Sequence, residues 1–235
     1  MDATERLVEL LGPDKEACGK VVDFDADKDR LYHFDLTANN PDLDELTFSD
    51  TNKFSLWINE KLLINKCAYG IGGYMEHRSI YARSNHFDAA DEPRRLHLGV
   101  DIWALENTAI YSPLDGVVHS FRDNNNFGDY GPTIILEHNL NGVPLYSLYG
   151  HLCRESLEGL WTGQPISKNQ PIARLGNSEE NGNWPSHLHF QLMFDMEGMH
   201  GDYPGVCRFS EREKYLKNIP DPQIILRFPK VKYGL

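Results

Sequence analysis

No stretch of this sequence is apolar for long enough to cross a membrane or to form the hydrophobic centre of an export signal. The first twenty residues, MDATERLVELLGPDKEACGK, place Asp2, Glu5, Arg6 and Glu9 where such a run would have to be. They read instead as a short amphipathic helix stopped at Gly12-Pro13. Membrane insertion is not expected. The expected location is the cytoplasm, an extracytoplasmic one requiring an export segment outside this sequence. Cysteine is scarce as well: Cys18, Cys67, Cys153 and Cys207 are scattered, with no Cys-x-x-Cys pair, which excludes a zinc knuckle or a thioredoxin-like motif. A chain of 235 residues buries a sizeable core without cross-links, and four free thiols in a reducing compartment are expected. Basic residues are also in short supply, 23 Lys and Arg against 35 Asp and Glu, for a formal charge of −12. Such a surface repels phosphate backbones and anionic lipids at long range, so nucleic acid is excluded as an expected partner. It also lacks the basic face by which wall-targeting enzymes gain. There is no internal repeat or low-complexity tract, and nothing in the sequence sets an oligomeric state.

What is present is ordinary for a folded protein: 40% hydrophobic, 11% aromatic and 25% charged residues. Residues 1–70 read as an N-terminal extension, a helix followed by alternating and mixed segments such as VVDFDADKDRLYHFDLT and FSLWINEKLLIN, with the turn-rich ANNPDLDE between them. From residue 71 to 200 the pattern changes to short runs rich in Val, Ile, Tyr and Phe, punctuated by Gly, Pro and Asn. HLGVDIWA, PTIILEHNL, PLYSLYGHL and HLHFQLMF are examples. These predict strands joined by tight turns, hence a mainly β, antiparallel domain. Residues 201–235 read as a C-terminal helical appendage, with Ser210 as candidate N-cap of a charged helix ending before Pro220.

Three pieces carry chemistry: His97-Leu98-Gly99-Val100-Asp101, Tyr149-Gly150-His151-Leu152 and His187-Leu188-His189-Phe190. Strand side chains two or four apart share a face, so His97 with Asp101, and His187 with His189, can each converge from one strand. Gly99 leaves room for another segment to approach closely. A lone histidine on a strand is more often packed or exposed than a ligand. A His-x-x-x-Asp, a mid-chain Gly-His-Leu and a late His-x-His in one β-rich region are together far more specific. A hydrolytic zinc wants about three N/O donors and an open position for water, which two histidines and a carboxylate supply. The two histidines left over can act as base, acid or hydrogen-bond donor near neutrality.

HLGVDIW, SPLDGVVHSF, YGPTIILEH, LYGHL, GQPI and PSHLHFQL, in that order, resemble the lysostaphin/LytM-type zinc metalloendopeptidases over roughly residues 94 to 195. The resemblance implies a groove-shaped antiparallel β-fold of the duplicated-hybrid-motif kind. It implies one zinc per chain on His97, Asp101 and His189, with His151 and His187 as the catalytic pair. It also implies a peptide or peptidoglycan-fragment substrate with glycine or D-alanine linkages. The alternatives are a cytoplasmic zinc amidase or peptidase on a small soluble substrate, and an inactive binding or regulatory domain of the same fold. Secreted members carry export signals and often wall-binding modules, and neither is seen here. Some members place an oxyanion-stabilising tyrosine shortly before the first metal histidine. Here Asp91, Glu92, Pro93, Arg94 and Arg95 stand there, leaving Tyr74 or Tyr81 to substitute. The flanks YARSNHFD and GDYGPTIILEH also resemble a subgroup in which such a domain accompanies a class III aminotransferase-like or kinase-like enzyme.

Other candidates are weaker. Cys153, two residues after His151, is a conceivable extra ligand, although a buried packing thiol is the commoner outcome. The loop Asn124–Gly131 either rims the groove or is a plain connection. His33, His77, His86, His119, His138 and His200 show no convergent spacing, His77 and His86 being nearest in sequence to the first motif.

Overall fold

Short β-branched and aromatic runs separated by turn residues form twelve strands among the residues described by the computed structural model, 1–14, 17–83 and 92–229. They are β1 (Leu31–Phe34), β2 (Tyr69–Gly72), β3 (Leu96–His97), β4 (Val100–Trp103), β5 (Ala109–Tyr111) and β6 (Gly116–Asn124). β7 (Gly131–Leu140), β8 (Val143–Gly150), β9 (Pro165–Ile166), β10 (Pro171–Arg174), β11 (His187–Met193) and β12 (Val206–Cys207) follow. The α-helices are α1 (Ala3–Leu11), α2 (Glu45–Phe48), α3 (Thr51–Asn65), α4 (Arg212–Tyr215) and α5 (Gln223–Leu226). Eight strands make one sheet in the order β1-β2-β4-β11-β8-β7-β6-β9, and β10 with β5 and β12 with β3 form two small ribbons. Every pairing is antiparallel except β1 with β2. The mainly β, antiparallel architecture expected from the sequence is the one observed.

Strand alternation decides where the site can form. On β11, Leu188, Phe190 and Leu192 enter one hydrophobic cluster together with Ile134, Leu136 and Tyr149 of the neighbouring strands. His187, His189 and Gln191 therefore face the other way, the side to which Ile135, Leu148 and Met193 belong. Phe190 is wholly buried, and truncating it to alanine should cost about 3–5 kcal/mol.

The segment FSLWINEKLLIN lies in α3 and is not a strand. The Asp50 side chain caps the helix by accepting from the Asn52 and Lys53 N–H groups at 2.9 and 3.1 Å. Phe54, Ile58 and Leu62 then recur every four residues on its inner face. This helix is the crossover that parallel β1 and β2 require, so the N-terminal stretch adds two strands to the large sheet. Ala3 and Leu7 of α1 share the core with Val100 and Ile102 of β4. The charged helix after Ser210 is shorter than expected. Phe209–Glu211 is a 3₁₀ turn and α4 spans four residues. Ser210 does not cap it, because its N–H and hydroxyl both bind the Glu92 carboxylate.

Candidate metal centre and active site

The registers of β4, β11 and β8 assemble the site. Asp101 on β4 sits directly across from His189 on β11, and Gly150 on β8 sits across from His189 on the other side. His151 follows immediately, in the left-handed region at φ 64°. His97 and Asp101 do not share a strand as expected. His97 belongs to β3, which pairs with β12, and the chain changes sheets at Leu98-Gly99 before β4 begins. The two side chains still converge because β3 crosses close over β11. A Cβ on Gly99 would lie 2.7 Å from Cε1 and Nε2 of His189 and from the Phe190 carbonyl oxygen, so the crossing requires glycine.

Hydrogen bonds to acceptors fix each imidazole. His97 Nδ1 lies 2.9 Å from the Gly73 carbonyl, His151 Nδ1 2.8 Å from that of Asn181, and His187 Nδ1 2.7 Å from that of Pro185. A carbonyl only accepts, so all three carry their proton on Nδ1 and leave Nε2 with a lone pair. His189 is turned round. Its Nε2 lies 3.0 Å from Gln191 Oε1, and the Gln191 amide is oriented by its own Nε2 donating to the Pro204 carbonyl at 3.1 Å. His189 therefore donates from Nε2 and presents a bare Nδ1.

Three atoms without protons thus face one another. His97 Nε2 and His189 Nδ1 are 3.0 Å apart, and Asp101 Oδ1 lies 3.1 Å from the second and 3.2 Å from the first. Lone pairs at such distances repel unless a cation stands among them. Donors about 2.0–2.1 Å from a tetrahedral zinc are separated by about 3.3 Å, and two imidazoles with one carboxylate are a donor set that zinc takes in hydrolases. The residues present fit that ion. His97, Asp101 and His189 are also the group of buried donors with metal-holding geometry among the described residues.

Electrostatics keep the donors in their ligating forms. Burial, with Arg78 next, pushes His97 down to about 3 against the pull of Asp101. Burial alone would raise the Asp101 carboxyl, but His97, Arg78, His187 and His189 around it hold it well below the usual range. His151 and His187 stand with ring centroids 4.1 Å apart, and His187 stacks on Trp103 at 5.4 Å. Burial lowers both, most strongly His151, where His187 adds to the effect, so both are neutral at pH 7.

All five residues expected from the sequence are brought together. Asp101, His151, His187 and His189 line a cavity of about 330 Å³ whose walls also include Phe54 of α3, Tyr81, Trp103, Tyr130 and Trp184. Tyr81 lies at this cavity, whereas the Tyr74 hydroxyl is turned away and donates to the Ile219 carbonyl at 2.6 Å. From the Asn124–Gly131 loop, Gly128, Asp129 and Tyr130 line the cavity. Cys153 is apart from the metal group, its thiol 3.0 Å from the Ser156 hydroxyl. His119 stacks on His200, and His138 bonds the Asp115 carbonyl and the Ser147 hydroxyl. His77 bridges to Leu96 through its backbone, and His33 lines a second cavity together with Tyr32 and Trp57. His86 lies outside the described residues. Sequence reasoning missed Gln191, Arg78 and Glu76. Gln191 continues the face set by His187 and His189 and was readable from strand period. The other two carry no such signal.

Residues 95–200 match the family model for peptidase family M23. The matched segment is just under half of the chain. A comparison with curated proteins finds no match. Among solved structures, it is similar to a zinc-containing peptidase from Vibrio cholerae, 27% identical, covering 42% of this chain and 27% of that one, with a TM-score of 0.34. Csd3 from Helicobacter pylori is 26% identical, covering 53% and 32%, also at 0.34. The catalytic domain of the antimicrobial peptidase lysostaphin from Staphylococcus simulans is 22% identical, covering 74% and 98%, at 0.44. The chain therefore spans about a quarter to a third of the first two of these proteins. Six of the eight strands of the large sheet, and all three residues of the donor group, lie in the segment that carries the M23 match.

Proposed function

We propose that this protein is a zinc-dependent metallopeptidase hydrolysing peptide bonds of peptidoglycan or a related glycine- or D-amino-acid-containing peptide. The observation that carries the reading is the trio of unprotonated atoms, His97 Nε2, Asp101 Oδ1 and His189 Nδ1, turned to one point by hydrogen bonds that fix every tautomer. The M23 match supports the reaction class. Zinc held there would supply Lewis acidity toward a scissile carbonyl and toward water. The protein's own residues supply proton handling. His151 and His187, neutral and anchored through Nδ1, present Nε2 to take a proton from the attacking water and return it to the leaving amine. Tyr81 lines the cavity, and its hydroxyl accepts from Arg78 Nη1 at 3.2 Å, which supports assigning oxyanion stabilisation to it rather than to Tyr74.

A short soluble peptide or wall fragment is favoured over intact wall by one feature. The Thr51 hydroxyl at the start of α3 donates to the Asn183 carbonyl at 2.9 Å, and Phe54 and Trp184 then wall the cavity together. The charge of −12 argues in the same direction. Presence of all five site residues argues against an inactive domain. Metal analysis of replete protein should find about one zinc per chain, followed by turnover of soluble muropeptides faster than of intact wall. Under about a tenth of an equivalent of zinc would overturn the reading. Faster turnover of intact wall would overturn the substrate preference alone.

A further inference from the structure

Asp101 is gripped from both sides. Its Oδ1 faces His189 Nδ1 at 3.1 Å and His97 Nε2 at 3.2 Å, while Oδ2 accepts a hydrogen bond from Nη1 of Arg78. Arg78 is 0% exposed and Asp101 3%. Nε of Arg78 donates to Glu76 Oε2 at 2.7 Å, and the other Glu76 oxygen accepts from the Leu36 N–H at 3.2 Å. A line of hydrogen bonds thus runs from the segment after β1, through Glu76 and Arg78, to the carboxylate that faces the two imidazoles.

A carboxylate free to turn can offer a cation one oxygen or two. With Oδ2 taken by the guanidinium, Asp101 offers one. A guanidinium beside a dication site also repels, but Glu76 stands against Arg78 and offsets that charge, leaving the directional hydrogen bond as the larger effect. Lysine, a point charge with one stem, cannot bridge Asp101, Glu76 and Tyr81 as the planar fork does.

We infer that Arg78, backed by Glu76, is a positioning residue of this centre: it holds Asp101 as a one-oxygen ligand. The inference rests on the zinc reading above. Through it the N-terminal stretch contributes to the geometry of the site as well as to its wall. Arg78 acts through Asp101 and is assigned no contact with substrate.

The test uses the full chain with Arg78→Ala, Arg78→Lys and Glu76→Gln, folding being checked by circular dichroism. Zinc affinity is read by chelator competition. Coordination number is read from the visible absorption of the cobalt-substituted protein, which is intense for four ligands and weak for five. Wild type should give the intense spectrum. Arg78→Ala should give the weak one as Asp101 swings to offer both oxygens, with zinc affinity lower by about 10–100-fold. Arg78→Lys should fall between, and Glu76→Gln should keep the wild-type spectrum with a smaller loss of affinity. If Arg78→Ala fails to fold, the Lys and Gln variants carry the test. Folded variants matching wild type in both affinity and spectrum overturn the inference and leave the zinc reading intact. A wild-type protein that takes up neither metal overturns the zinc reading, and the inference with it.

Discussion

Nε2 of His97 and Nδ1 of His189 confront each other at 3.0 Å, opposite ring nitrogens of residues 92 positions apart, each stripped of its proton by a bond on the far side of its own ring. That opposition separates ligands from the other two histidines. His97→Ala, Asp101→Ala and His189→Ala should each lose bound zinc. His187→Ala and His151→Asn should retain near-stoichiometric zinc while turnover falls by about 10²–10⁴-fold. Elemental analysis beside a peptide-release assay checks the division. Equal metal loss in all five variants would show that the roles are wrongly assigned.

Gln191 orients His189 without touching the donor triangle. Gln191→Met removes the acceptor for the Nε2 proton and should weaken zinc binding by about 10–100-fold, whereas Gln191→Glu keeps an acceptor there and should bind nearly as wild type. Chelator competition measures both. Equal affinity in wild type and Gln191→Met would remove Gln191 from the site's support.

Gly99→Ala places a methyl group against the His189 ring and the Phe190 carbonyl. The strands cannot separate without disturbing the Asp101–His189 pair, so a stability loss of about 1–3 kcal/mol should accompany weakened zinc binding. Urea denaturation and metal content are the readouts, and wild-type values in both would refute the close crossing.

Buried His138 reports on acid stability away from the metal group. Burial lowers its folded value to about 4, below the ordinary value of 6.5, so the unfolded chain binds more protons between those limits. Stability should therefore fall as pH drops from about 6.5 to about 4, by on the order of 3 kcal/mol from this residue. Denaturation of chelator-treated protein at several pH values, wild type against His138→Gln, isolates the contribution. A variant with an undiminished slope would place the effect elsewhere.

The sheet and the pairing of His187 with His189 were legible because they depend on local pattern, whereas His97 and Asp101 converge from two strands of different sheets and not along one. Alternation on β11 fixes the shared face of His187 and His189, and turn residues mark most strand ends. The N-terminal stretch was legible only in α1, which stops at Gly12 as expected; the rest was not, because β1 and β2 meet only through the α3 crossover, and a helix whose inner face is Phe54, Ile58 and Leu62 is spelled with the same apolar residues as a strand. Arg78 was hidden for a related reason. Its partner lies 23 residues away, and nothing in the spacing of Glu76, Arg78 and Asp101 marks a buried chain of charge.

His151 occupies the left-handed region of backbone space, where asparagine and glycine are at ease and most other side chains are strained. Substitutions there are filtered twice, once by the chemistry of the imidazole and once by the bend on which it rides. An alanine at this position adds the bend's penalty to the chemical loss. Asparagine keeps the bend and removes only the ring, which makes it the cleaner probe. In a lineage that has given up proton transfer, this position should drift toward asparagine or glycine before it reaches any β-branched residue.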